Sequence, residues 1–158
     1  MLARTRGSAI LILLLGIWGG IVPFVGGYFG YPSGAPTWHW SMTNAMLSVA
    51  AGAVAVFGAL LMMSGRPSMG RLGGLLALIG GAWFILGPIF LPLWSNATAL
   101  KTSGSKVMQV LEQIGYHFGT GVLITALAGY ALGAMTWLRS APTVQRRTVV
   151  GPDVGVAA

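Results

Sequence analysis

No charged side chain occurs between Gly7 and Gly65, and none between Leu72 and Leu100. Stretches of that length cannot be the inward face of a soluble core, because a helix or strand in water shows polar residues every few positions. Apolar runs of 18 or more residues are the ones that cross a bilayer. Four can be drawn here, at about residues 9–29, 42–63, 72–93 and 118–138. In hydrocarbon the backbone must satisfy its own hydrogen bonds, which leaves helices for segments like these. The sequence therefore predicts an all-α fold, an integral membrane four-helix bundle spanning residues 1–138. Composition agrees: 55% of the 158 residues are apolar and 7% charged, against roughly 25% charged in soluble domains.

The net charge of +7 has a specific placement. Arg4 and Arg6 precede the first run, Arg66 and Arg71 separate the second from the third, and Arg139, Arg146 and Arg147 follow the fourth. Basic residues at span ends mark cytoplasmic loops. Both termini are expected in the cytoplasm, with the protein in the plasma membrane and the loops at about 30–41 and 94–117 outside. No soluble stretch is long enough for a nucleic-acid-binding module, so lipid is the partner the charge implies. The chain has no cysteine, which removes disulfides, thiol catalysis and thiolate metal sites.

Arg4 and Arg6 followed by a Leu/Ile-rich run also resemble a secretory signal, with Ser33-Gly34-Ala35 as the cleavage site. A signal's apolar region is about 7 to 15 residues; this one is longer and is read as a retained span. In the second outer loop Val107, Val110, Leu111 and Ile114 fall at i, i+3, i+4 and i+7, with Lys106, Gln109, Glu112 and Gln113 between them. That spacing predicts a short amphipathic surface helix before the fourth span. Residues 139–158 have no period and little bulk, and read as a disordered cytoplasmic tail.

The first and third spans share a motif. Gly16-Ile17-Trp18 leads to Val22-Pro23-Phe24, and Gly81-Ala82-Trp83 leads to Gly87-Pro88-Ile89 with the same spacing. Each span is followed by an outer loop ending in aromatic-His: Trp38-His39 before the second span and Tyr116-His117 before the fourth. The chain reads as two tandem helix hairpins, an internal repeat. At these residues it resembles the SPW-repeat membrane proteins of bacteria and archaea, whose paired spans carry Gly-x-Trp leading to Ser-Pro-Trp. The Ser-Pro-Trp tripeptide itself does not occur here. The resemblance implies the paired-span architecture and brings no catalytic residues with it.

Among the 25 glycines, several are four residues apart, notably Gly16 with Gly20 and Gly129 with Gly133. Such pairs let membrane helices approach closely, inside the bundle or against a partner. Pro23 and Pro88 each remove a helix hydrogen bond and are expected to bend their spans. The spans contain no carboxylate or lysine, which disfavours ion pumping. His39 and His117, with Glu112, Tyr116, Trp38 and Trp40 in the same layer, are the candidates for holding haem, a pigment or a metal. The competing reading of these histidines is a polar tip at the headgroup level. These features together predict a non-enzymatic accessory or structural subunit with a membrane-protein partner or a second copy; the alternative is a redox subunit using His39 and His117.

Overall fold

The computed structural model describes residues 2–29, 38–93, 107, 110–111 and 114–140. Helix α1 is Leu2–Val25, tightening into a 3-10 turn at Gly26–Phe29. Helix α2 is Met42–Met63, with a π-turn at Ala45–Val49 near its start. Helix α3 is Pro67–Phe90, followed by a 3-10 turn at Leu91–Leu93. A second π-turn, Ile114–Phe118, leads into α4, Gly119–Ser140. Three stretches, Thr5–Tyr28, Met42–Met63 and Pro67–Leu93, are long and apolar enough to cross a membrane, and Gly119–Met135 is a shorter apolar helix.

Local chemistry sets the boundaries. Ser41 caps α2: its Oγ accepts from the Asn44 backbone N–H at 3.1 Å, satisfying a donor the first turn leaves open. At the other end Ser64 Oγ donates to the Leu61 carbonyl at 2.7 Å, and Gly65 takes φ +75°, a conformation that costs glycine little. Pro67 then opens α3 at its first position, where the missing N–H is no loss. Helices α1 and α3 begin several residues before the apolar runs do, because an apolar run marks only the part of a helix without charged residues. Pro23 and Pro88 occupy matching places, with the α-helix tightening to 3-10 three residues after each.

Each helix packs against two others, α1 on α2, α2 on α3, α3 on α4, and α4 back on α1. What lies between them is small. Ala9, Ala55, Ala59, Ala77, Ala128 and Ala131 are buried, and the backbones are close enough that a Cβ on Gly58 would sit 2.5 Å from the Gly73 carbonyl oxygen. The large apolar side chains point the other way: Leu14 and Ile79 are 57% exposed and Phe57 56%. In water this arrangement would be inverted, with bulk inside. Phe84 is the main exception. It is fully buried on α3 and fits against Gly19 of α1, where an added Cβ would lie 2.5 Å from its Cζ.

Candidate functional site: the π-turn end of the bundle

The sequence-selected histidines and tryptophans all lie toward one end of the bundle, where two π-turns open α2 and α4. A π-turn pairs backbone groups five residues apart and disturbs the i to i+4 ladder of the helix it interrupts. Two indoles reach carbonyls in these turns. Trp83 Nε1 donates to Met46 O at 3.0 Å, and Trp18 Nε1 donates to Gly115 O at 3.4 Å. Thr120 Oγ1 also donates to Gly115 O, at 3.3 Å. Met46 and Gly115 are each the second residue of their π-turn. The Gly-x-Trp motif thus has a structural role: each tryptophan ties its helix to the entrance of another.

The glycine contacts match in the same way. A Cβ on Gly52 would meet Gly16 O at 2.6 Å, and one on Gly121 would meet Gly81 O at 2.8 Å. A Cβ on Gly16 would meet Val56 and Ala55, and one on Gly81 would meet Thr125 and Ile124. A shift of 65 residues carries Trp18 onto Trp83 and Pro23 onto Pro88; a shift of 69 carries Met46 onto Gly115, Gly52 onto Gly121 and Val56 onto Thr125.

The histidines occupy unlike settings. His117 is the fourth residue of the second π-turn; its ring tilts against Phe84 with centroids 6.5 Å apart, and its Nε2 is buried. His39 stands before α2 in exposed, non-helical chain, and its carbonyl accepts from Asn44 Nδ2 at 3.4 Å. The expected equivalence of the two therefore needs correction. Under the 69-residue shift the residue matching His117 is Ser48, fourth in the first π-turn, 1% exposed and with an Oγ that makes no hydrogen bond. The aromatic-His pairs thus follow neither the 65- nor the 69-residue shift that relates the tryptophan, proline and glycine positions.

Trp38 and Trp40 form a separate feature with Phe24 at the end of α1. Phe24 stacks on Trp38 at 6.2 Å and on Trp40 at 5.6 Å, and Trp38 N–H donates to Phe24 O at 3.1 Å. Trp38 takes φ +63°, a strained conformation for a bulky residue held by these contacts. Glu112 lies outside the described residues, as does the tail at 141–158. Val107, Val110 and Leu111 are helical and exposed, in keeping with the surface-helix pattern at those positions.

Of the four glycines singled out for packing, Gly16 and Gly20 face Gly52 of α2. Gly129 and Gly133 are exposed, and among the described residues a Cβ on either would meet no atom within 4 Å, so this stripe of α4 does not face α1 or α3 as Gly16 and Gly20 face α2. Ser48 stands out in the sequence as one of the few polar side chains in the spans, where a hydrogen bond to a neighbouring helix is expected of it; its Oγ makes none. Sequence reasoning missed the packing of Phe24 and Phe84. Comparison with known protein families, with characterised proteins and with solved structures finds no match to this chain.

Proposed function

We propose that the chain is a four-span membrane protein made of two tandem helix hairpins, with both termini cytoplasmic, and that it serves as a non-enzymatic accessory or structural subunit of a larger assembly in the plasma membrane. The observation that carries the membrane part is the size distribution: the seams are rich in glycine and alanine, while many leucine, isoleucine and phenylalanine side chains, Leu14, Ile79 and Phe57 among them, face outward, with Phe84, Ile12, Leu91 and Ile124 as buried exceptions. Helix association in lipid depends on close backbone approach, and lipid solvates the bulky side chains. The tandem hairpin is supported by the paired tryptophan hydrogen bonds and the paired glycine contacts, which recur under fixed sequence shifts. For the subunit role the support is that the side-chain hydrogen bonds of Trp18, Trp83 and Thr120 at this end of the bundle go to backbone carbonyls of the π-turns and so hold structure.

The alternative, a haem-, pigment- or metal-holding redox subunit, draws on His117 inside the ring of helices, while His39 sits on its exposed rim. Expression of the full chain tests both readings. Resistance to alkaline extraction supports membrane integration, and release into the soluble fraction refutes it. In this cysteine-free chain, Ser103→Cys should react with an impermeant thiol reagent on intact cells and Ser68→Cys should not. The reverse pattern overturns the orientation. Native mass spectrometry after mild solubilisation should show co-purifying subunits, whereas a Soret band in the purified protein would favour the redox alternative.

A further inference from the structure

The end of the bundle opposite the π-turns carries the arginines. Arg71 lies in the second turn of α3, and its Nη2 donates to the Met135 carbonyl of α4 at 3.4 Å. That contact places the guanidinium at the seam between α3 and α4, where Gly70 of α3 also lies beside Met135. It uses one of five N–H donors arranged in a fork suited to phosphate. Arg66 stands at the cap position of the same helix and is exposed. The 65-residue shift that superimposes Trp18 on Trp83 also carries Arg6 of α1 onto Arg71, so each hairpin presents one arginine at the same level. The whole chain has only two acidic side chains, Glu112 and Asp153, and the described residues include neither.

We propose that this end of the bundle binds the phosphate of anionic phospholipids, with Arg71 and Arg6 as the equivalent headgroup contacts of the two hairpins and Arg66 adding to the first. The inference rests on the membrane reading above. Basic residues between membrane helices at the cytoplasmic side are suited to such headgroups, and the seated fork of Arg71 adds geometry to charge. A zwitterionic lipid offers the same phosphate accompanied by a cation, so the surface discriminates by net charge.

The test uses the full chain in mild detergent, exposed to equal amounts of phosphatidylglycerol and phosphatidylcholine with matched acyl chains, with retained lipids counted by native mass spectrometry. Phosphatidylglycerol should be retained preferentially, and Arg71→Gln or Arg6→Gln should each lower that preference about fivefold. Arg71→Lys keeps the charge and loses the fork, so it should fall between the parent and Arg71→Gln. Equal retention of the two lipids by the parent protein overturns the proposal, as does displacement of phosphatidylglycerol by inorganic phosphate in the millimolar range, which would identify a site for the free anion. Both results leave the membrane reading intact; that reading fails only if the protein is released by alkaline extraction.

Discussion

Replacing Trp83 by phenylalanine isolates the physical role of the Gly-x-Trp motif. The substitution keeps an aromatic ring and deletes the indole N–H that reaches Met46 O at 3.0 Å, a distance typical of a sound N–H···O bond. Hydrogen bonds between membrane helices contribute about 0.6 kcal/mol on average and up to about 1.7 in measured cases. Met46 O would lose its side-chain donor from another helix, so the expected loss is about 1 kcal/mol. The parallel change at Trp18 should cost less. Its bond is longer, 3.4 Å, and Thr120 Oγ1 donates to the same Gly115 carbonyl at 3.3 Å, so that oxygen keeps a donor. Trp18→Phe is therefore expected to cost about 0.5 kcal/mol or less, and Trp18→Phe combined with Thr120→Val should approach the Trp83→Phe loss. Reversible unfolding in mixed detergent micelles, followed by far-UV circular dichroism, reads all three variants. If Trp18→Phe alone destabilises as much as Trp83→Phe, the idea that these indoles act by satisfying π-turn carbonyls is wrong.

Phe84→Ala should destabilise the protein by about 3 to 5 kcal/mol, the cost of a cavity at a fully buried aromatic, measured by the same unfolding assay. Gly19→Ala forces the Phe84 ring aside and should cost about 1 to 3 kcal/mol, with Phe84→Leu in the same chain recovering part of it. At Gly58 an added methyl meets backbone atoms of Gly73 and Ala77 that cannot yield easily, so Gly58→Ala should lower the unfolding midpoint, whereas Gly129→Ala, with open space around it, should stay within about 0.5 kcal/mol of the parent.

The sequence revealed the helices well and the end of the bundle poorly, for a physical reason. Hydrocarbon imposes a uniform requirement on every residue of a span, so helix α2 is found at Met42–Met63, as its apolar run implied. A π-turn has no such signature. It inserts one residue into a helix without changing composition, so neither Ala45–Val49 nor Ile114–Phe118 could be read in advance. The π-turns also suggest a different alignment: under the 69-residue shift that carries Met46 onto Gly115, Ser48 rather than His39 falls on His117. The glycine pairs show a related limit. A spacing of four residues places two glycines on one face of a helix but does not say which way that face points, and Gly16 with Gly20 points at α2 while Gly129 with Gly133 does not point into the bundle.

The two shifts that relate the matched contacts also pick out positions where the residues differ, and those differences fall along particular seams of the helices. Under the same shifts Gly58 corresponds to Leu127, Gly73 to Ser8 and Gly80 to Leu15. The first member of each pair lines the seam between α2 and α3, where backbone meets backbone. The second member of each pair falls on α1 or α4, and side chains there hold those helices further apart, which is why α2 and α3 make the most extensive contact of the four seams and α4 and α1 the least. Phe84 and Gly19 follow the same logic: they correspond to one another under the 65-residue shift, and the ring of one occupies the space the other leaves vacant. Identical residues at those two positions would either collide or leave a void, so the close approach of α1 and α3 here requires facing residues of different size.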